Sequence, residues 1–172
     1  EWRKALLSKF DSLLTNKVFV IEDQPKEYVK VIYMHLINSE KRDENGHVVK
    51  KKSRLVVNGS AQSREDSYFE TFAPVLTRES FRLLIAKAAQ EGWTMCQFDV
   101  ETAFLLAPLP TSEVIRIRPP AGFHLLCEAR NIPFKQGQLI RAVMAWYRLK
   151  TSPRHWNKKF SGDLKNFAEK FF

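Results

Sequence analysis

Apolar residues recur at intervals of three and four over residues 2–14 (Trp2, Ala5, Leu6, Phe10, Leu13, Leu14), the spacing of one face of an α-helix. Val18-Phe19-Val20-Ile21 then predicts a short strand, and Pro25 breaks the pattern. Residues 28–37 and 48–57 are rich in β-branched and aromatic types, and Asn45-Gly46 between them tolerates the positive φ of a tight turn. A β-hairpin is expected there, its second strand carrying Lys50-Lys51-Lys52-Ser53-Arg54. Residues 60–77 read as a loop that ends near Pro74. Phe81, Leu84, Ile85, Ala88 and Ala89 predict a helix over 80–90, with Thr77 as N-cap and Gly92 at the C′ position. A short apolar strand over 94–98, closing at Asp99, and a helical turn over 103–106 are expected next, stopped by Pro108 and Pro110. Residues 114–118 alternate like a strand, and the stretch from Leu139 onward reads as helical and basic. Strands mixed with helices, without a regular βαβ rhythm, predict an α+β fold.

Composition narrows this little, but charge adds something. The 172 residues suit one domain or part of a larger one, and 44% apolar with 27% charged residues is a globular balance. No stretch reaches the roughly 18 apolar residues of a membrane span, and Glu1-Trp2-Arg3-Lys4 does not open like a signal peptide. Cys96 and Cys127 both sit among apolar neighbours in sequence and are too few for a disulfide scaffold or a four-ligand zinc site. These features predict a soluble, intracellular fragment that makes no use of a membrane. The net charge is +9, and it is uneven: +4 over residues 1–60, −1 over 61–140 and +6 over 141–172. Basic flanks suit a polyanion such as nucleic acid, or simply a lysine-rich solvated surface.

The candidate chemistry is sparse. Asp99 ends a strand and opens a turn, where Asp is a favoured N-cap; it is also a hard oxygen donor suited to Mg²⁺. A two-metal phosphoryl-transfer site needs several shared carboxylates, and Glu101 is the nearest other acid. The four histidines show no ligand spacing, and no glycine-rich phosphate loop is present. The run from Lys50 to Arg54 either grips phosphates or guards an edge strand. Trp146, Tyr147, Arg148, Lys150, Arg154, His155, Trp156, Lys158 and Lys159 interleave aromatics with bases. Such a set can stack on nucleobases while cations follow the backbone, or can form an amphipathic helix with Trp in the core.

The order of several segments resembles the reverse transcriptase of copia-type retrotransposons. Glu1-Trp2 with Ala5 is similar to the family's Glu-Trp-x-x-Ala opening, and Lys52-Ser53-Arg54-Leu55-Val56-Val57-Asn58-Gly59 to its Lys-Ala-Arg-Leu-Val-Ala-Lys-Gly segment. Residues Tyr68 to Val75 resemble Tyr-x-Glu-Thr-Phe-Ala-Pro-Val, and Gln97 to Leu105 resemble the first catalytic-aspartate motif. Pro119-Pro120-Ala121-Gly122-Phe123 and Ser152-Pro153-Arg154-His155-Trp156 look like two further landmarks.

The resemblance implies a right-hand polymerase fragment with fingers over about 15–92 and 113–145, and part of the palm over about 93–112 and 146–172. It implies RNA-directed DNA polymerase chemistry with Mg²⁺ in the complete protein. Asp99 would bind metal as the first catalytic aspartate; Lys52, Arg54, Val100 and Phe104 would face the incoming dNTP, with Phe104 screening the sugar 2′ position. Lys150, Arg154, Trp156 and Lys158 are the candidates for nucleic-acid contact. The implied partners are an RNA template, a DNA primer, dNTP and the remainder of a polyprotein, in a cytoplasmic particle or the nucleus. The second aspartate motif of the family is expected beyond Phe172, so the 172 residues alone are expected to be inactive. Arg148 stands where the family has glycine, Met144 and Asn58 where it has lysine, and Ser60 where Phe is common. A non-catalytic, nucleic-acid-binding relic is the alternative, suggested by basic flanks that are retained without the second aspartate motif.

Overall fold

The structure, a computed structural model, describes residues 1–62 and 71–171; the Tyr68-Phe69-Glu70 part of the loop motif lies outside them. The opening periodicity forms helix α1, Trp2–Thr15, which buries Phe10 and Leu13. Lys17 adopts φ 49° just past its end, and the amides of Lys17 and Val18 return to the carbonyls of Leu14 and Leu13. This is a Schellman closure made without glycine. Strand β1 is Phe19–Glu22. The hairpin forms as expected from β2, Val31–Arg42, and β3, Val48–Val57. At its tip Asp43 Oδ1 accepts from the amides of Asn45 and His47, and Gly46 takes φ 84°.

A 3₁₀ turn at Gly59–Ala61 follows, then α2, Arg78–Gln90. Thr77 caps α2 through the Ser80 amide, and Gly92 at φ 68° lets the Trp93 amide reach the Ala88 carbonyl at 2.8 Å. Both caps stand where the sequence places them. A second 3₁₀ turn occupies Ala103–Leu106, followed by β4, Arg116–Arg118, and a short helix α3, Phe123–Glu128. Strand β5 is Leu139–Ala142, and α4 is Ser152–Phe171, with Pro153 in its first turn where no amide is required. The five strands make one mixed sheet in the order β1-β5-β4-β2-β3, with β2 and β4 parallel and the other pairs antiparallel. The α+β expectation holds. No helix among the described residues is long and apolar enough to cross a membrane.

Three expectations are corrected. Residues 94–98 form no strand: a strand needs a ladder partner, none of the described strands pairs with them, and Phe98 is 72% exposed. The helix expected from Leu139 begins only at Ser152, because the short apolar run at 139–142 is buried between β1 and β4 as a strand. Runs of that length do not distinguish the two by period. Cys96 is exposed despite its apolar neighbours in sequence, whereas Cys127 is buried.

The core joins α1, the sheet and α3. Phe10, Phe19 and Phe123 meet in edge-on and tilted contacts at 5.5–6.3 Å, and the fully buried Trp146 lies 5.9 Å from Phe19. The indole N–H of Trp146 donates to the Leu55 carbonyl at 2.9 Å. Ser152 Oγ accepts from the Trp146 amide at 3.0 Å and donates to the Trp146 carbonyl at 2.6 Å. Val57 N–H donates to the Tyr147 carbonyl at 3.1 Å. Gly59 closes the same seam: a Cβ there would lie 1.9 Å from the Arg148 carbonyl oxygen. Arg148 itself adopts φ 70° with an exposed side chain, so the glycine of the family would relax the turn.

Gly59→Ala is expected to destabilise the chain by about 3 kcal/mol, because backbone must give way. Arg148→Gly is expected to stabilise it by about 0.5–1 kcal/mol, the relief of left-handed strain exceeding the added freedom of the unfolded glycine. Urea midpoints at unchanged slope check both; a neutral Gly59→Ala would contradict the close approach. Burial pushes the Cys127 thiol up to about 11. A thiol reagent at pH 8 is therefore expected to modify one cysteine, Cys96, in the native chain and two in denaturant.

Candidate nucleotide-binding site

The basic strand stands at the edge of the sheet and leans on α1. Ala5, Ser8 and Lys9, one helical face of α1, bound a cavity of about 400 Å³ with Lys50–Arg54, Glu101, Thr102 and Tyr147. Cations dominate its wall. Lys51 is engaged, lying 5.4 Å over the Trp2 ring and 2.9 Å from Glu1. Arg54, then burial, then Lys9, Lys50 and Lys41 hold the Lys52 ammonium below the usual lysine range. Like charges crowd that ammonium, and an anion in the cavity would relieve the crowding. Glu101 is the one carboxylate among the residues lining it.

The structure thus brings together Lys52, Arg54 and, through one ring contact, Phe104. Phe104 is half-buried on the 3₁₀ turn, its ring edge-on to Tyr147 at 6.2 Å and 66°. Burial pushes the Tyr147 phenol up, opposed by the nearby Arg54. Thr102, which caps the turn, takes φ 55° without a side-chain capping bond. A β-branched residue in that region is uncommon.

Asp99 is exposed and lies in the irregular stretch before the turn; Val100, next to it, is half-buried. The cap of the turn is Thr102, so Asp99 is not its N-cap. Among the described residues no group of three or more His, Cys, Asp or Glu side chains is placed to hold a metal ion. Asp99 with Glu101 falls short of the shared carboxylates a two-ion centre needs. The described residues by themselves do not make a Mg²⁺ centre.

The four nucleic-acid candidates separate on α4 and the turn before it. Lys150 Nζ donates to the Gln62 carbonyl at 2.8 Å while its amide donates to Gln62 Oε1 at 2.7 Å, a tie to the turn after β3. Trp156 stacks on Phe160 at 5.3 Å and 22°. Arg154 and Lys158 line a second cavity of about 430 Å³ with Lys159 and Asp163, which bind each other, and Pro108 and Pro110. His155 Nε2 lies 2.7 Å from Glu113 Oε2, and Thr151 Oγ1 donates to Glu113 Oε1 at 2.6 Å. These side chains, 38 and 42 positions apart in sequence from Glu113, fasten α4 to the segment before β4. No local spacing announces them. Tyr147 is likewise missed as a site residue, although its place among the interleaved aromatics was a signal.

A family model described as "Reverse transcriptase (RNA-dependent DNA polymerase)" matches residues 16–171. The chain is 32% identical over 155 residues to the retrovirus-related Pol polyprotein from transposon RE2 of Arabidopsis thaliana, covering 90% of the chain and 10% of that protein. It is 30% identical over 161 residues to the corresponding polyprotein from transposon RE1 of the same plant, with 90% and 10% covered. It is also 29% identical over 163 residues to that from transposon TNT 1-94 of Nicotiana tabacum, with 95% and 12% covered. The chain therefore spans about a tenth of the length of the curated relatives it matches. No solved structure matches it. Five of the six motifs that pointed to this family lie within the matched residues, the Glu1-Trp2 and Ala5 opening preceding them: the chain belongs to the reverse transcriptase family, of the kind carried in the Pol polyproteins of copia-type retrotransposons.

Proposed function

We propose that the chain supplies the incoming-nucleotide side of an RNA-directed DNA polymerase. In this reading the fingers take in about 15–92 and 113–145, and the first part of the palm about 93–112 and 146–172. The cavity that joins Lys52 and Arg54 to Thr102 and Tyr147 carries the reading. A triphosphate bears several negative charges in a short span, and a polymerase must neutralise them while positioning the sugar. Lys52 offers a point charge and Arg54 a two-pronged donor to phosphate oxygens. Phe104 does not line the cavity itself but meets the Tyr147 ring edge-on; in this reading it sets a bulky edge where the sugar would lie. Asp99 supplies the first metal-binding carboxylate, with Val100 beside it. In the complete protein Asp99 would hold Mg²⁺ together with further carboxylates, and the ion would supply charge neutralisation for nucleotidyl transfer. The template, the primer and the rest of the polyprotein complete the partners, in a cytoplasmic particle or the nucleus.

A second reading, a non-catalytic nucleic-acid-binding relic, is favoured by the cavity on α4. Arg154, Lys158 and Lys159 face it with a single acid, Asp163. Such a surface follows a phosphate backbone without needing an intact catalytic centre.

Two sets of outcomes separate the readings. Inorganic tripolyphosphate is expected to bind the chain, and Lys52→Ala with Arg54→Ala to weaken that binding by tenfold or more, about 1.4 kcal/mol or more in total. Equal affinity after both changes would remove the nucleotide reading. In the complete polyprotein Asp99→Asn is expected to abolish primer extension, and the 172 residues alone to extend none. Binding of the chain to duplex DNA is expected to fall with salt at about 0.9 in log–log slope per phosphate contact, and Lys158→Ala to lower the slope by roughly one contact. Salt-independent binding would remove the relic reading.

A further inference from the structure

One wall of the cavity against β3 has no role assigned by the resemblance. Tyr147 stands there with Lys52, Arg54 and Thr102, half-buried, its ring edge-on to Phe104. The two rings are held very differently. Phe104 belongs to a four-residue 3₁₀ turn whose cap, Thr102, makes no side-chain capping bond. The turn is seated in the core through Leu105, 1% exposed, but the Phe104 ring beside it is only half-buried. Tyr147 is pinned on both sides. Its carbonyl accepts from Val57 on β3, the strand that carries Lys52 and Arg54. The residue before it, Trp146, is fully buried and bonded to Leu55 and Ser152. The residue after it, Arg148, turns back at φ 70° against Gly59.

Rejecting a hydroxyl by bulk requires a wall that does not retreat, since about an ångström of slack admits the extra oxygen. A half-buried Phe104 ring keeps rotamer freedom of its own and is not such a wall by itself. With its edge against a ring fixed to β3 it becomes one.

We propose that Tyr147 is a positioning residue that holds the Phe104 ring, so that selection of deoxyribose over ribose belongs to the Phe104–Tyr147 pair. This rests on the nucleotide reading above. The phosphate grip on β3 and the sugar wall then form one rigid unit, registered to each other through the Val57–Tyr147 hydrogen bond.

The test is isothermal titration of the 172-residue chain with dATP, ATP and inorganic tripolyphosphate. The unchanged chain is expected to favour dATP over ATP by about tenfold or more, and Phe104→Ala to erase the preference. Tyr147→Ala is expected to erase it as well, bringing dATP and ATP to within about twofold of parity whatever its effect on tripolyphosphate affinity. Tyr147→Phe, which keeps the ring, is expected to keep the preference. Tyr147→Leu fills the space without a ring and is expected to lose it, which covers the case in which the alanine variant does not fold. A purely structural role would lower tripolyphosphate and dATP affinity together and leave their ratio unchanged; that result overturns the proposal. So does a wild-type dATP-to-ATP ratio in Tyr147→Leu. If the unchanged chain binds no tripolyphosphate, or binds dATP and ATP alike, the nucleotide reading fails first and takes this inference with it.

Discussion

The seam between the end of β3 and the segment Trp146–Leu149 holds the rest of the molecule in place. A fully buried indole can be accommodated only if its N–H finds an acceptor, and here that acceptor is the Leu55 carbonyl. The bond aligns Trp146 with a strand almost a hundred residues earlier. Val57 and Gly59 then extend the contact, one by a hydrogen bond and the other by lacking a Cβ. Ser152 closes it from the other side by satisfying both backbone groups of Trp146 at the start of α4. Truncating a buried Trp costs about 3–5 kcal/mol in general, and here it would also orphan the Leu55 carbonyl, whereas the Ser152 bonds, made to the Trp146 backbone, would not be lost with the indole. The hairpin, the 3₁₀ turn with Phe104 and α4 all take their mutual places from this one joint.

Electrostatics follows from that placement. The β3 cations stand on an edge strand, where lysine is ordinarily a guard against stray strand pairing. Packing against α1 turns part of that edge into a cavity wall, and Lys9 adds its charge from the helix. Lys51 is already engaged by Glu1 and the Trp2 ring. Lys52 and Arg54 remain as the crowded pair, and the depression of the Lys52 ammonium expresses the crowding. A surface that merely kept the chain in solution would disperse such charges or match them with acids.

Helix α2 obeys a different constraint. It exposes Phe81, Leu83, Leu84 and Ile85, and buries only Ala88. A helix of thirteen residues gains little from propensity alone. Its ends are therefore conspicuous: the Thr77 cap, the left-handed Gly92 and the Lys87–Glu91 pair. The irregular stretch after it, with Met95 and Phe98 outward, lacks the ladder partner that would make it a strand. Asp99 at its end consequently stands exposed, and among the described residues it belongs to no cluster of three or more potential metal ligands.

Local chemistry is what the sequence determined by itself. The hairpin with its Asn45-Gly46 turn, both caps of α2, the period of α1 and the basic strand were all legible, because each depends on residues a few positions apart. The family was legible for the same reason, through ordered motifs that include Lys52, Arg54, Asp99 and Phe104. Tertiary structure decided whatever depends on a distant partner. Residues 94–98 and 139–142 are both short apolar runs, and only the presence of β1 and β4 beside the second made it a strand. Glu113 with Thr151 and His155, Lys150 with Gln62, and Tyr147 with Phe104 are pairings across tens of residues that no period or spacing encodes. A side chain's neighbours in sequence set its conformation. Its neighbours in space, here arranged by one buried tryptophan, set what it can bind.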